Sequence, residues 1–426
     1  MSTKIRSLLV LLLGAIVALP GLPLHASGFA FTDQGAKAAG MAGAFVAQAS
    51  DPSAIVYNPG GLALLEKKKS VSAGMAVAAF NESLYQGLPP GIGIGATGQQ
   101  ETAPAIPPHV YVTLPVGRRM VAGVGIYSPF RMRTEWADPG VFVARHLATK
   151  SEIQAWDVAP TLGLQLSPSL GVGLGAIYRT SEISVSRRLA GQEGIGADIP
   201  DIASLDMKTD MEPGYGWTAG LLYKKKRFSF GFSYRSAIQT DYVGVGRLAQ
   251  IPTGDAQYDE LVKATLPFGQ DLPLSSSLEY PDQASVGLAL NLGKALMVEM
   301  DVNRTGWGSM DSLALRFATD PSLNTAYGLD FQDSMSYRLG ARWRLPTGPQ
   351  LRVGYAFDET PQPDAAVGAF LPDSSRNTLS VGAGLDWLDV AFSWITYDQR
   401  IVSNSAQGLN GNYRANGWAL TISATK

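Results

Sequence analysis

From Lys67 onward the chain repeats one pattern: apolar residues alternate with small or polar ones, the run breaks, and alternation resumes. Phe228, Phe230, Phe232 and Tyr234 interleave with Ser229, Gly231, Ser233 and Arg235. Leu379, Val381, Ala383, Leu385 and Trp387 interleave with Ser380, Gly382, Gly384 and Asp386. A period of two puts the two sets on opposite faces of a strand. The pattern predicts about fourteen strands, over residues 69–80, 108–116, 119–129, 151–167, 169–187, 213–224, 227–247, 280–292, 294–308, 332–345, 349–358, 376–387, 388–401 and 412–424. Their connections alternate in length. Short ones such as Pro115 to Arg118 and Leu292 to Lys294 are followed by long ones near 81–107, 130–150, 188–212, 248–279, 309–331, 359–375 and 402–411. An even strand number with short turns on one side and long loops on the other predicts an all-β membrane protein, an antiparallel transmembrane β-barrel in a bacterial outer membrane.

Residue type decides which face is which. Tyr337, Leu339, Ala341, Trp343 and Leu345 oppose Arg338, Gly340, Arg342 and Arg344. An arginine on the lipid face costs about 2–4 kcal/mol at mid-bilayer, so the three must point into the lumen. Likewise Leu162, Leu164 and Leu166 share one parity, and Asp157, Ala159, Thr161 and Gly163 the other. Trp156, Trp217, Tyr223, Tyr234, Trp307, Trp343, Trp387 and Trp394 fall mostly near strand ends, as interfacial girdles do.

The beginning of the chain has another texture. Lys4 and Arg6 precede an apolar stretch from Leu8 to Leu19, too short to span a bilayer comfortably, and Leu24-His25-Ala26 fits a cleavage site. Residues 1–26 are therefore expected to be a signal peptide. Residues 27–66 are rich in Ala and Gly, lack alternation and carry turns at Asp51-Pro52 and Asn58-Pro59-Gly60-Gly61. Some forty residues cannot bury a core alone. Phe29, Phe31, Phe45, Ile55, Val56 and Tyr57 favour a small, partly helical hatch packed in the lumen of a barrel formed by residues 67–426; a flexible leader is the alternative.

Composition narrows the function. Charged residues are 16%, and the net charge of −2 gives no electrostatic footprint for nucleic acid. There is no cysteine and there are three histidines, so neither a disulfide framework nor a histidine-rich zinc site is available, and no cofactor or metal is expected. His146 lies near Glu135 and Asp138 in sequence, but no serine stands in a nucleophile-elbow context, so the chain is not read as an enzyme.

Several segments, in order along the mature chain, resemble the FadL/TodX (OMPP1) family of outer-membrane channels for long-chain fatty acids and other hydrophobic compounds. They are the opening Ser27-Gly28-Phe29, the hatch signature Asn58-Pro59, the run Gly216 to Tyr223 followed by Phe232-Ser233-Tyr234-Arg235-Ser236, and Gly354 to Pro361 followed by Leu371-Pro372-Asp373. The resemblance implies a fourteen-stranded barrel closed by a hatch. It also implies passive uptake: loops capture the solute, a lumen pocket binds it, and hatch movement opens a lateral exit beside a kinked third strand. The ligand pocket would involve Ser27, Phe29, Ser128, Arg188 and Gln332. Arg188 matches a headgroup arginine of the family, or Arg187 after a one-residue slip; Gln332 falls where the family places a lysine. That departure leaves room for neutral hydrocarbons or aromatics beside fatty acids. Pro129, followed by Phe130, has no N–H to complete a ladder, so it marks either the kink or merely the strand end. Apolar residues of two long loops (Ile195, Ile199, Ile202 and Leu205; Leu261, Val262, Leu266, Phe268, Leu272 and Leu274) form either an outer capture groove or ordinary loop packing.

The expected partners are hydrophobic small molecules, outer-membrane lipid and lipopolysaccharide, with the protein acting as a monomer. Two other functions stay open: a polar-solute porin, motivated by inward Arg338, Arg342 and Arg344, and a lipid hydrolase resting on His109 or His146. An adhesive barrel is weaker, since adhesion requires no plug.

Overall fold

The computed structural model describes residues 28–191 and 200–426; the signal segment, Ser27, Ile195 and Ile199 lie outside them. Fourteen strands build the wall: β1 (Ser70–Gly87), β2 (Pro108–Val116), β3 (Met120–Tyr127), β4 (Lys150–Ser167), β5 (Leu170–Ala190), β6 (Glu212–Lys224), β7 (Phe228–Arg235), β8 (Gln283–Leu292), β9 (Leu296–Thr305), β10 (Ser334–Arg344), β11 (Gln350–Asp358), β12 (Arg376–Gly384), β13 (Leu388–Tyr397) and β14 (Gly411–Thr425). Each pairs antiparallel with the next. β14 returns to β1 from Ser72↔Thr425 to Gly87↔Gly411, closing the barrel. Closure leaves no free edge, the condition for strands in lipid.

The faces follow the alternation. Asp157, Ala159, Thr161 and Arg338 are buried inward, while Leu162, Leu164, Leu166 and Trp343 are exposed on the outer surface. Trp217, Trp387 and Trp394 are also outward. Trp307 is a correction: it is fully buried, because the chain leaves β9 at Gly306 and a short 3-10 turn, Trp307–Ser309, carries the ring into the lumen.

The strand expected over 227–247 is two elements. β7 ends at Arg235, and a separate strand, Ile238–Gln250, leaves the wall to pair with 201–209 and 272–280. At the break, the Ser236 N–H donates to Trp217 O, and its hydroxyl accepts from Trp217 N–H. Both pieces alternate, so periodicity alone could not mark the break. β4 and β5 have 18 and 21 residues, more than the roughly 9–11 needed to cross a bilayer, and their upper parts join this outer sheet.

The leading segment packs inside the lumen. Of its small-residue stretch only α1 (Ala36–Ala39) is α-helical, followed by tight turns; α2 (Ala54–Tyr57) and a 3-10 turn, Pro59–Leu64, complete it. Inward glycines of the wall allow this contact. A Cβ on Gly173 would sit 2.2 Å from Pro59 O, and one on Gly354 would sit 2.1 Å from the Met41 carbonyl carbon. Two inward carboxylates of β9 grip the segment's main chain. Asp301 accepts from Phe45 N–H (2.8 Å) and Val46 N–H (3.0 Å), and Glu299 accepts from Ala47 N–H (2.6 Å) and Gln48 N–H (3.0 Å). Asn58 adds a tie to β6: its Nδ2 donates to Val46 O at 2.8 Å and to Leu221 O at 3.0 Å, while Oδ1 accepts from Gly60 N–H at 3.0 Å.

Candidate ligand site at the wall kink and the hatch

β3 stops at Tyr127, but strand geometry resumes over Arg131–Glu135 on the same partner, β4. Tyr127 faces Asp157 and Arg131 faces Gln154, so four steps on one side match three on the other. Pro129 thus lies within a bulge, and the bulge re-aims the strand. On the other side β2 reaches only as far as Val110↔Ile126. The chain entering β2 reads Pro104, Ala105, Ile106, Pro107 and Pro108; its three prolines lack the N–H a ladder needs. Between the two lies a place where the wall has no neighbour strand.

The start of the hatch fills that place. Phe31 N–H donates to Pro129 O at 2.8 Å, Arg131 N–H donates to Phe29 O at 3.1 Å, and Ala30 bridges Phe130. Gln34 donates its side-chain amide to Ser128 O, and Tyr111 Oη donates to Gln34 O at 2.8 Å. Residues 29–34 are therefore hydrogen-bonded to the kink from within.

Aromatic rings surround Phe29. Its centroid lies 4.9 Å from Trp307 and 5.9 Å from Phe130; Trp307 also meets Phe331 at 5.7 Å, and Phe130 meets Tyr280 at 5.1 Å. Arg179 stacks over Phe130 and Tyr280 at 4.8 and 4.7 Å. Arg179 also holds Asp157 through two bonds of 2.7 and 2.9 Å. Arg235 approaches the same carboxylate at 3.7 Å. All three side chains are buried.

Two cavities flank the 29–31 strip, and Ala30 and Phe31 line both. The larger, about 240 Å³, is mainly apolar and reaches Phe29, Phe80, Met132, Leu371, Ile395 and Tyr397. Asp373 lies at its rim; burial pushes this carboxyl above its usual range, against a hydrogen bond from Thr360 and the charges of Arg376 and Arg400. The smaller, about 110 Å³, lies between hatch and wall, with Gln34, Arg235, Ser285, Asn303, Thr305 and Arg338 on its surface.

Residues 21–426 match the profile of a family described as outer membrane protein transport protein (OMPP1/FadL/TodX). The chain belongs to that family. It is an outer-membrane protein of the FadL/TodX transport type. It is similar to the long-chain fatty acid transport protein of Escherichia coli O6:H1, 26% identical over 67% of this chain and 68% of that one. Among solved structures it resembles a FadL homologue of Pseudomonas aeruginosa, with TM-score 0.78 and 21% identity over 94% of this chain and 99% of that one. It also resembles the toluene transporter TbuX of Ralstonia pickettii, with TM-score 0.67 and 15% identity over 93% and 98%.

Within this FadL/TodX barrel the expected pocket residues are dispersed. Phe29 borders the apolar cavity. Ser128 is buried at the kink, its Oγ donating to Ala155 O at 2.8 Å, and lines neither cavity. Arg188 has the opposite parity to the buried, inward Ile183 and Val185; Arg187 has the inward parity, with a buried Nε and a bond to Leu323 O at 3.3 Å. Neither arginine lines either cavity. Gln332 is exposed, with its N–H bonded to Pro361 O at 2.8 Å; the neighbouring Phe331 turns to Trp307. In the outer loops, Leu205, Val262, Leu272 and Leu274 are buried, whereas Leu261 is exposed. Sequence reading missed Trp307, Arg179 and Arg235 as site residues. Parity marks both arginines as inward, but their meeting at one carboxylate depends on strand register.

Proposed function

We propose that the chain is a passive outer-membrane channel for hydrophobic solutes, in which the hatch gates a lateral exit at the kink. Loops capture the solute, the apolar cavity beside Phe29 binds it, and withdrawal of residues 29–34 opens the wall between residues 102–108 and 127–134 toward lipid. The observation that carries this reading is the ladder between Phe29–Phe31 and Pro129–Arg131: one movement of the hatch removes the strip that fills the wall. An apolar solute gains by this route, since each buried methylene contributes about 0.8 kcal/mol that a watery bore would forfeit. Relatives named for long-chain fatty acid and toluene transport support the solute class. The residue roles proposed are Phe29 at the pocket, Asn58 and Pro59 as the hatch anchor, and Pro129 and Phe130 as the kink, with residues 27–66 moving as a unit within the 67–426 barrel. Closure of the wall within one chain supports a monomer, whose loops face the lipopolysaccharide layer.

Members of the family are transporters, and we read this chain as non-enzymatic. His146 Nε2 shares Asp201 with Arg145, at 2.8 and 2.9 Å, in a polar cluster of the outer loops. His109 Nε2 lies 2.9 Å from Ser423 Oγ, but both are buried beneath α1, and neither borders a cavity described above. Of the arginines that motivated a porin, Arg338 donates to Ala42 O at 2.8 Å and Arg342 to Gln48 Oε1 at 2.7 Å, so both fasten the hatch.

The test uses the absence of native cysteine. Ala30 and Phe130 form a narrow antiparallel pair whose spacing falls in the range of about 4.4–6.8 Å that a disulfide spans. In an Ala30→Cys/Phe130→Cys variant, uptake of oleate or toluene by cells should stop on oxidation and return on reduction. Equal uptake by the oxidised and reduced forms would remove the gating role.

A further inference from the structure

We infer that the short-turn end of the barrel is a docking surface for anionic phospholipid headgroups at the periplasmic face of the membrane. The first observation is where exposed cations gather. Lys67, Lys68 and Lys69 lead into β1, and Arg118 and Arg119 turn β2 into β3. Lys225, Lys226 and Arg227 turn β6 into β7, and Lys294 turns β8 into β9. All of these side chains are exposed. Among the described residues, the exposed acids of that end are Glu66 and Asp386, and Lys68 is the one cation of this set paired with an acid, Glu66 at 2.8 Å. The whole chain has a net charge of −2, so the collar is a segregation of charge and not the mark of a basic protein. Exposed Asp206, Asp241, Asp311 and Asp330 lie toward the long-loop end.

The second observation is depth. Each cationic site lies within two residues of an outward apolar side chain of the wall: Val71 follows Lys69, Val116 precedes Arg118, Phe228 follows Arg227 and Leu296 follows Lys294. All four apolar side chains are exposed on the outer surface, where the bilayer covers them. Lys225 Nζ lies 5.7 Å from the centre of the Tyr223 ring, so its stem runs back along the wall. Long basic side chains at such a boundary keep their stems on apolar surface and their charges at headgroup level.

The third is extent. The cationic sites run from β1 to β9, more than half of the fourteen-strand circuit, and the turn from β12 to β13 carries the acid Asp386 instead. A docked protein covers one arc of a cylinder, whereas headgroups meet the wall all the way round. A long row of cations without acidic partners, flush with the apolar band, fits the headgroups. Phosphodiester oxygens accept from ammonium and guanidinium donors in strong charge-assisted bonds. A lipid of net negative charge is favoured over a zwitterion, whose own ammonium opposes the collar. The inference concerns the outside of the barrel and stands apart from the gating of the hatch.

The probes are spin-labelled phosphatidylglycerol and phosphatidylcholine of equal chain length, in trace, with the full chain reconstituted in dimyristoylphosphatidylcholine bilayers. Electron spin resonance reads the fraction of each lipid immobilised at the protein surface. Wild type should hold phosphatidylglycerol about fivefold more strongly, the scale of one lysine or arginine at an anionic surface. In about 1 M NaCl, where the Debye length falls to about 3 Å, the preference should vanish. A variant carrying Arg118→Gln, Arg119→Gln, Lys225→Gln, Lys226→Gln and Arg227→Gln should prefer phosphatidylglycerol less than about twofold. A loop-end variant carrying Lys208→Gln, Arg247→Gln and Lys263→Gln, all exposed, should keep the wild-type preference. Heat-modifiable gel migration shows that each variant is folded, and the salt series on wild type tests the collar without any substitution. A preference that survives high salt, or that the loop-end variant loses as fully as the turn variant, overturns the inference. Equal association of the two lipids with wild type also overturns it, and binding of soluble polyglutamate to that same protein would then give the collar to an acidic periplasmic protein.

Discussion

Asp157 is where the lumen concentrates charge, since two arginines depend on one carboxylate that is wholly withdrawn from solvent. Removing one member of a buried ion pair leaves the others uncompensated, a loss of about 3–5 kcal/mol. Asp157→Asn should therefore lower the thermal transition of the folded barrel, measured by heat-modifiable migration, far more than Asp206→Asn at an exposed position. An equal shift for the two would remove the buried network as a source of stability. Parity alone makes Asp157, Arg338 and Arg342 legible as lumen residues, because a strand has only two faces and lipid rejects charge on one of them. What parity does not supply is the partner. Asp157 meets Arg179 because β4 and β5 pair them directly, and that register is set by contacts along two whole strands. The same limit explains Arg187 and Arg188, where one step of register decides which guanidinium turns inward.

The kink and the hatch segment are one element in two pieces of sequence. Pro129 announces a break, but a proline at a strand end and a proline in a bulge read alike until the strand is seen to resume at Arg131. Its counterpart, the proline-rich approach to β2, carries the same signal and becomes meaningful only when the two are set side by side. The seat of the hatch is legible in retrospect as inward glycine. Gly354→Val would drive a side chain into Met41 and Ala42, and the hatch should lose its seat there. The expected outcome is a barrel that still inserts but admits protease to the hatch from the periplasmic side. Unaltered proteolysis would show that the contact is dispensable. At Gly173 and Gly354 glycine is required by the backbone that lies against it.

As a whole molecule, the protein is a cylinder whose bore is filled by its own residues 28–66. Purified wild type in a planar bilayer should pass almost no ion current. A form lacking residues 28–66 should conduct steadily, because Glu299, Asp301, Arg338 and Arg342 would then face water across an open lumen. Large steady current through wild type would favour the porin reading instead. The fourteen strands and the plug were legible because alternation, turn length and the change of texture near Lys67 all agree. The outer sheet was not, because strands that leave the wall keep the same period as strands that stay.

The grip of Glu299 and Asp301 is on main-chain amides at positions 45–48, not on side chains. Such a clasp cannot tell one small residue from another, so Ala47 is free to drift among small residues while the fastening endures. Proline is the exception, since it alone brings no amide hydrogen to the clasp; Ala47→Pro should loosen what Ala47→Ser leaves intact.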